Sequence, residues 1–337
     1  MKRVAINGLG RIGKMVLHHY VTNKPEDIEI VIANGGSGTT EDLAYMLKYD
    51  SVHGKFPAPI SYDENSLTVG DQKIDIVSQR DATKLPWAEY NIDIVLECTG
   101  KYTQRDKAAQ HIEAGAKKVL ISAPAKEEDV TIVLGVNDDW YNPNEHHIIS
   151  NASCTTNSLA PAMKVLVENF GVESAHITTT HAITSSQVTI DRKMPSKHRR
   201  GRAAGVNIIP TTTGAAKATT KVIKELEGKM TAMALRVPVP DGAITEIVAN
   251  LGKDTTVEEV NEAFKRASEN ELKGILEFST EELVSTDILG NPHSSIIDGL
   301  STQIVGNRMV KVMAWYDNEF GYSKRLLDLA VMVAKSM

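Results

Sequence analysis

Arg3-Val4-Ala5-Ile6-Asn7-Gly8-Leu9-Gly10-Arg11-Ile12-Gly13 decides how the first half of this chain reads. Arg3 to Ile6 is a short β-branched, apolar strand signal, and Arg11 to Tyr20 has the spacing of a helix. Between them lies a Gly-x-Gly-x-x-Gly turn, the dinucleotide-binding arrangement when it links a strand to a helix. Gly8 permits the tight turn, Gly10 lets a pyrophosphate approach the backbone, and Gly13 lets helix and strand pack closely. The amides at the helix start, beside Arg11 and Ile12, then face the phosphate charge.

Outward from that turn, strand signals at Ile28 to Ala33, Asp93 to Glu97, Lys118 to Ile121 and Ile132 to Leu134 alternate with helical ones, including Thr103 to Ala114. Such alternation predicts a Rossmann-type, doubly wound parallel sheet covered on both faces. In that fold ligands lie at the carboxyl ends of strands. Asn34 and Gly35, Thr99 and Gly100, and Ser122 are therefore candidate cofactor contacts. The second half carries longer, more separated strand signals at Val172 to Thr180, Met230 to Val237, Thr245 to Leu251, Gln303 to Val305 and Met309 to Trp315, with a helix at Val257 to Ser268. That predicts an α+β domain on a mixed, largely antiparallel sheet. The expected boundaries are 1–152 for the nucleotide domain and 153–317 for the catalytic domain, with a C-terminal helix over 318–337 packing back on the first.

Composition narrows the functional classes. The chain has 337 residues, 42% hydrophobic and 24% charged, which suits two ordinary globular domains. A net charge of -6 gives no general attraction to nucleic acid or to an anionic membrane. Two cysteines, Cys98 and Cys154, fit a reducing compartment. The N-terminal apolar run is too short for a signal peptide, and no stretch approaches the roughly 20 apolar residues of a membrane helix. The expectation is a cytoplasmic protein with no metal.

Cys154 opens a helical run that extends to Phe170, where the positive helix N-terminus favours thiolate. Cys98 reads as a small core-facing residue. The strand from Val172 ends at His181, a candidate base, although ten histidines leave the pairing open from sequence alone. The basic run Lys197-His198-Arg199-Arg200-Gly201-Arg202 needs an anion to explain it.

Six motifs together resemble the phosphorylating glyceraldehyde-3-phosphate dehydrogenase family. They are the glycine turn, Leu47-Lys48-Tyr49-Asp50-Ser51-Val52-His53-Gly54, Ser150-Asn151-Ala152-Ser153-Cys154-Thr155-Thr156-Asn157, Thr211-Thr212-Thr213-Gly214-Ala215-Ala216-Lys217, Leu235-Arg236-Val237-Pro238, and Trp315-Tyr316-Asp317-Asn318-Glu319-Phe320-Gly321-Tyr322. The resemblance implies Cys154 as nucleophile with His181 as its base, a thiohemiacetal and then a thioester, and attack by inorganic phosphate. It also implies that Thr184 and Arg236 bind the phosphate of the sugar substrate. Ser153, Thr155, Thr213, Gly214 and Arg200 would bind the attacking phosphate, and Asn318 the nicotinamide amide, in a homotetramer. A sister activity on erythrose 4-phosphate, and a non-catalytic nucleotide-sensing or adhesive role, are the alternatives.

Three positions depart from the family pattern. Ser158 replaces a second cysteine, Asp241-Gly242 replaces Asn and an apolar residue, and Gly35 replaces the Asp of NAD-specific members. An Asp there binds the ribose hydroxyls and repels a 2'-phosphate. Its absence leaves NAD or NADP open and favours use of NADP, with the amides of Gly35 and Gly36 and the hydroxyls of Ser37 and Thr39 as a phosphate cradle. Arg192 and Lys193 lie in the loop that reaches a neighbouring subunit's adenosine in this family.

Overall fold

The computed structural model describes Met1 to Met337. The chain divides into two compact units. The first comprises Met1–Ile132, Asp138–Ser153 and Tyr322–Met337, and the second Val133–Asn137 and Cys154–Gly321.

The first unit is built on a nine-stranded sheet, in the order Val130–Thr131, Ile148–Ser150, Lys118–Ile121, Ile94–Glu97, Lys2–Asn7, Ile28–Asn34, Gln72–Val77, Ser66–Val69, Ile60–Tyr62. The first seven run parallel, and a meander at the far edge supplies two antiparallel strands. Strand order reverses at Lys2–Asn7, the switch point of a doubly wound sheet. Helices α1 (Arg11–Asn23), α2 (Thr40–Lys48) and α3 (Arg105–Glu113) belong to this unit. The strand expected at Ile132 to Leu134 is not formed. Pairing takes place at Val130–Thr131 against Ile149 and Ser150 and ends with the Ile132 amide donating to the Ser150 carbonyl, while Val133 and Leu134 are buried beyond the ladder. An apolar run marks burial, and here burial alone produced the signal.

The second unit has an eight-stranded mixed sheet. Its main path is Ile209–Thr212, Met230–Arg236, Val172–His181, Ala243–Leu251, Met309–Tyr316, Ser295–Asp298, Leu276–Ser279, with Gln303–Val305 also paired to Met309–Tyr316. Only two of its pairings are parallel, Val172–His181 with Met230–Arg236 and Leu276–Ser279 with Ser295–Asp298. Helices α4 (Cys154–Phe170), α5 (Ala215–Val222) and α6 (Val257–Glu269) complete it. α4 runs through Pro161 and buries most of its length. α6 starts on a capping box, in which Thr256 accepts from the Glu259 amide and Glu259 accepts from the Thr256 amide.

The last helix, α7, spans Phe320–Lys335 and does not reach back to 318. Asp317 accepts the amides of Glu319 and Phe320 at 2.9 and 2.8 Å and so sets the helix start. No helix is long and apolar enough to cross a membrane.

Candidate active site

The glycine turn does what its spacing implies. Gly8 has a φ of 104°, and a Cβ there would lie 2.8 Å from Thr99 Cγ2. A Cβ on Gly13 would sit 2.1 Å from the Gly8 carbonyl oxygen, so only glycine lets α1 approach the strand. A Cβ on Gly10 meets nothing within 4 Å, which is open space at the amide end of α1. That end has no side-chain cap and no acidic residue in its first turn. The cradle therefore fits a pyrophosphate. The Arg11 side chain pairs with Asp50, which Lys14 also approaches at 3.2 Å. The Arg11 guanidinium thus ties α1 to Asp50, two residues past α2.

The tip of the second strand differs from expectation. The Asn34 amide donates to Asn7 Oδ1 and to the Gln79 carbonyl, both at 2.8 Å, and accepts from the Gln79 amide at 3.0 Å. Its donors are spent, so it does not hold a ribose hydroxyl by donation. The Gly35 amide gives its hydrogen to the Val77 carbonyl at 2.9 Å. Thr39 caps α2 with Asp42. Of the expected phosphate cradle, the Gly36 amide and the Ser37 hydroxyl remain. Thr99 is tethered through its amide and hydroxyl to Glu97 Oε1, and Gly100 follows with φ 70°. The Ser122 amide donates to the Glu97 carbonyl, and its hydroxyl side chain bonds Cys98. Burial, then the Glu97 charge, push the Cys98 thiol far up, which suits an inert residue.

In the second unit, register brings the chemistry together. His181 and Arg236 end neighbouring parallel strands as direct partners. Cys154 is the first residue of α4 and is half-buried. Its Sγ lies 3.5 Å from His181 Nε2. His181 Nδ1 lies 2.8 Å from the Ala182 carbonyl oxygen and 2.6 Å from Arg236 Nη1, which also donates to that carbonyl at 3.0 Å. The ring of Tyr316 packs edge-on to His181 at 5.8 Å. Its hydroxyl bridges Thr155 Oγ1 and Thr179 Oγ1 at 3.0 and 2.9 Å.

Burial sets the electrostatics of the pair. Burial pushes the Cys154 thiol up, against the Arg236 charge and hydrogen bonds from Thr155. Burial, then Arg236, hold His181 down at about 3. Desolvation thus opposes the helix terminus at Cys154 and disfavours the charged imidazole at His181.

Thr155 lies against both the thiol and Tyr316. Its hydroxyl faces the Cys154 sulfur and Tyr316, and the residue is 5% exposed, which makes it a poor donor to a free anion. Tyr316 was missed in the sequence, where it read only as part of a motif. Arg200 Nε donates to Thr211 Oγ1 at 2.8 Å and its Nη2 to the Thr212 carbonyl at 3.1 Å, beside Thr213. Gly214 begins α5 without a side-chain cap, and the Ala215 amide reaches Thr213 Oγ1 at 3.2 Å. Thr184 bonds Ser186 and Gln187. Arg236 Nε and Asn318 Oδ1 are buried polar atoms without a protein partner. Ser153 ends the first unit's segment just ahead of Cys154. Arg202 pairs with Asp191 at 2.8 Å, and Arg192 and Lys193 are exposed.

Asp241-Gly242 now has an account. Asp241 is 2% exposed and hydrogen-bonds Asp317, whose carboxyl is pushed up by burial and by the Asp241 charge. Gly242 has φ 87°, and a Cβ there would meet the Ser285 carbonyl oxygen at 2.8 Å.

A dinucleotide-binding sheet joined to a unit with a thiol against an imidazole and a guanidinium defines a nicotinamide-dependent dehydrogenase. Residues 2–105 match the family model described as glyceraldehyde 3-phosphate dehydrogenase, NAD binding domain, and residues 153–318 match that enzyme's C-terminal domain. The chain is 53% identical over 336 residues to glyceraldehyde-3-phosphate dehydrogenase 2 of Bacillus subtilis, covering 99% of this chain and 97% of that one. It is 53% identical to the Geobacillus stearothermophilus glyceraldehyde-3-phosphate dehydrogenase over 333 residues, 98% of each. It is 51% identical to glyceraldehyde-3-phosphate dehydrogenase 2 of Trichormus variabilis over 336 residues, 99% of each. The chain belongs to the glyceraldehyde-3-phosphate dehydrogenase family.

Proposed function

We propose that this chain oxidises D-glyceraldehyde 3-phosphate with a nicotinamide cofactor and transfers the acyl group to inorganic phosphate, giving 1,3-bisphosphoglycerate, through a thiohemiacetal and a thioester on Cys154. The observation that carries this reading is the 3.5 Å contact of Cys154 Sγ with His181 Nε2, with Arg236 on the imidazole's other nitrogen. Sγ adds to the aldehyde carbon and His181 Nε2 takes the thiol proton. A nicotinamide held by the first unit's glycine turn would accept hydride from the adduct, which Cys154 would keep as a thioester. Inorganic phosphate then displaces Cys154, splitting a hard oxidation into two easier steps. The test is turnover with each sugar phosphate, with and without inorganic phosphate. Phosphate-dependent turnover of the triose supports the reading. Preference for erythrose 4-phosphate, or no turnover, contradicts it.

The tautomer of His181 gives Arg236 a second part. With Arg236 donating to Nδ1, the imidazole hydrogen sits on Nε2 and the base is closed. With Nδ1–H given to the Ala182 carbonyl, Nε2 is free to take the thiol proton. A substrate phosphate that engages Arg236 favours the open form. Arg236→Leu is expected to lower the kcat/KM ratio of glyceraldehyde 3-phosphate to unphosphorylated glyceraldehyde by about 10–100-fold, the worth of one charge-assisted contact. Equal losses for both aldehydes would remove Arg236 from the phosphate site.

For the cofactor, we infer use of both NAD and NADP. No carboxylate stands at Gly35 to repel a 2'-phosphate, yet only Gly36 and Ser37 remain to cradle one. Gly35→Asp is expected to lower kcat/KM for NADP by about 10-fold or more, as a like charge against the phosphate should, and to improve use of NAD. The new Cβ falls 2.5 Å from Leu43 Cδ1, a movable methyl, and Gly35→Asn controls for that crowding. A wild type that ignores NADP would show that the glycines serve only as a turn.

A further inference from the structure

A buried polar chain underlies the three cofactor loops of the first unit, and none of its inner members belongs to the chemistry described so far. Glu97 ends its strand with no exposure. Its Oε1 accepts from the Thr99 amide at 2.8 Å and from the Thr99 hydroxyl. Its Oε2 accepts from Asn7 Nδ2 at 2.5 Å and lies 3.2 Å from His111 Nε2. His111 is equally buried, on α3, and its Nδ1 accepts from Trp87 Nε1 at 3.0 Å. An indole nitrogen only donates, so Nδ1 must accept and the imidazole hydrogen is on Nε2, directed at Glu97. On the other side Asn7 Oδ1 accepts from Asn34.

The polarity is therefore fixed from both ends, Trp87 to His111 to Glu97, and Asn34 to Asn7 to Glu97. Asn7, Asn34 and Glu97 are the last residues of three adjacent strands. The loops that follow them are Gly8 to Gly13, Gly35 to Thr39, and Cys98 to Gly100. Thr99, held by Glu97, is also the wall against which Gly8 packs. Four donors converge on one carboxylate in a dry interior, where losing a single partner is costly.

We propose that Glu97 and His111 are positioning residues for the dinucleotide, fastening the phosphate turn and the Thr99 loop to each other and to α3. Neither touches the cofactor. They act through Thr99, Asn7 and the turn beginning at Gly8. The inference rests on those loops holding the cofactor. If that failed, the wild type would not bind a dinucleotide at all.

The test compares Glu97→Gln, His111→Leu and His111→Gln in the full-length protein, reading NAD affinity by protein fluorescence and KM for NAD and aldehyde separately. Glu97→Gln turns one acceptor oxygen into a donor facing donors, and His111→Leu removes the donor to Glu97. Both are expected to raise the Kd and KM for NAD about 10-fold, with aldehyde KM and kcat at saturating NAD within about threefold of wild type, because fixing a loop in its bound form changes affinity without touching the thiol. His111→Gln can still donate to Glu97 and accept from Trp87, and it should recover most of the affinity. Should Glu97→Gln fail to fold, the histidine pair alone decides. NAD affinity within twofold of wild type in His111→Leu would overturn the proposal. So would equal increases in both KM values that track only a fall in Tm, or no recovery in His111→Gln.

Discussion

Cys154→Ser is expected to lower the rate of aldehyde oxidation by about a thousandfold or more, with NAD affinity unchanged. A hydroxyl is far less available than a thiol as a nucleophile at neutral pH, and an ester is a poorer acyl donor than a thioester. The Ser Oγ would stand in the same place at the start of α4, with the same Thr155 contacts, so structure is not the variable. Removing one member of a catalytic set commonly costs losses of this order. Cys98→Ser is the control. Its thiol is pushed up by burial and Glu97, and its replacement should leave the rate within about twofold. Comparable losses in both variants would show that the thiol was wrongly chosen.

The second large effect is at His181. His181→Asn keeps a polar group near the Ala182 carbonyl and removes the nitrogen facing Sγ, so the chemical step should slow by about 10²–10⁴-fold. The pH behaviour carries its own sign. The imidazole is held at about 3 in the fold against an ordinary value of 6.5. As pH falls, the unfolded chain takes this proton first. The contribution of neutral His181 to stability is thus complete above pH 6.5 and is lost between about 6.5 and 3, by up to about 1.4 kcal/mol per unit. Denaturant unfolding at pH 7.5 and pH 5 should show a smaller acid loss in His181→Asn than in wild type. Alkylation of wild-type Cys154 should climb with pH through the alkaline range, since burial pushes its thiol up. A plateau near pH 6 would mean a standing ion pair and contradict that reading.

Much of this was legible in the chain. Gly8, Gly10 and Gly13 could be assigned separate tasks because each task depends on the missing Cβ, a property of residue type and spacing alone. Val172 to Thr180 and Met230 to Val237 read as strands from their β-branched and apolar runs. Other parts depend on partners distant in sequence. Ile209–Thr212, Leu276–Ser279 and Ser295–Asp298 are too short to show a period, and they become strands because neighbours offer them a ladder. Val133 and Leu134 show the reverse case, apolar and buried without pairing. The choice of His181 among ten histidines needed either a family resemblance or the register that sets it beside Arg236. His111 and Glu97 gave no signal, because a buried histidine is chemically identical in sequence to an exposed one. A helix N-terminus is visible in sequence, whereas the depth of burial that opposes it is a property of the whole unit.

The central claim is that Cys154 carries the acyl group. It is tested most directly by mixing the enzyme with glyceraldehyde 3-phosphate and NAD without inorganic phosphate, quenching in acid, and weighing the intact chain and its peptides. The account predicts one phosphoglyceryl adduct per chain, confined to the peptide that contains Cys154, discharged on adding phosphate and absent in Cys154→Ser. An adduct elsewhere, or NADH formed with no adduct on Cys154 at any time before turnover, would contradict it.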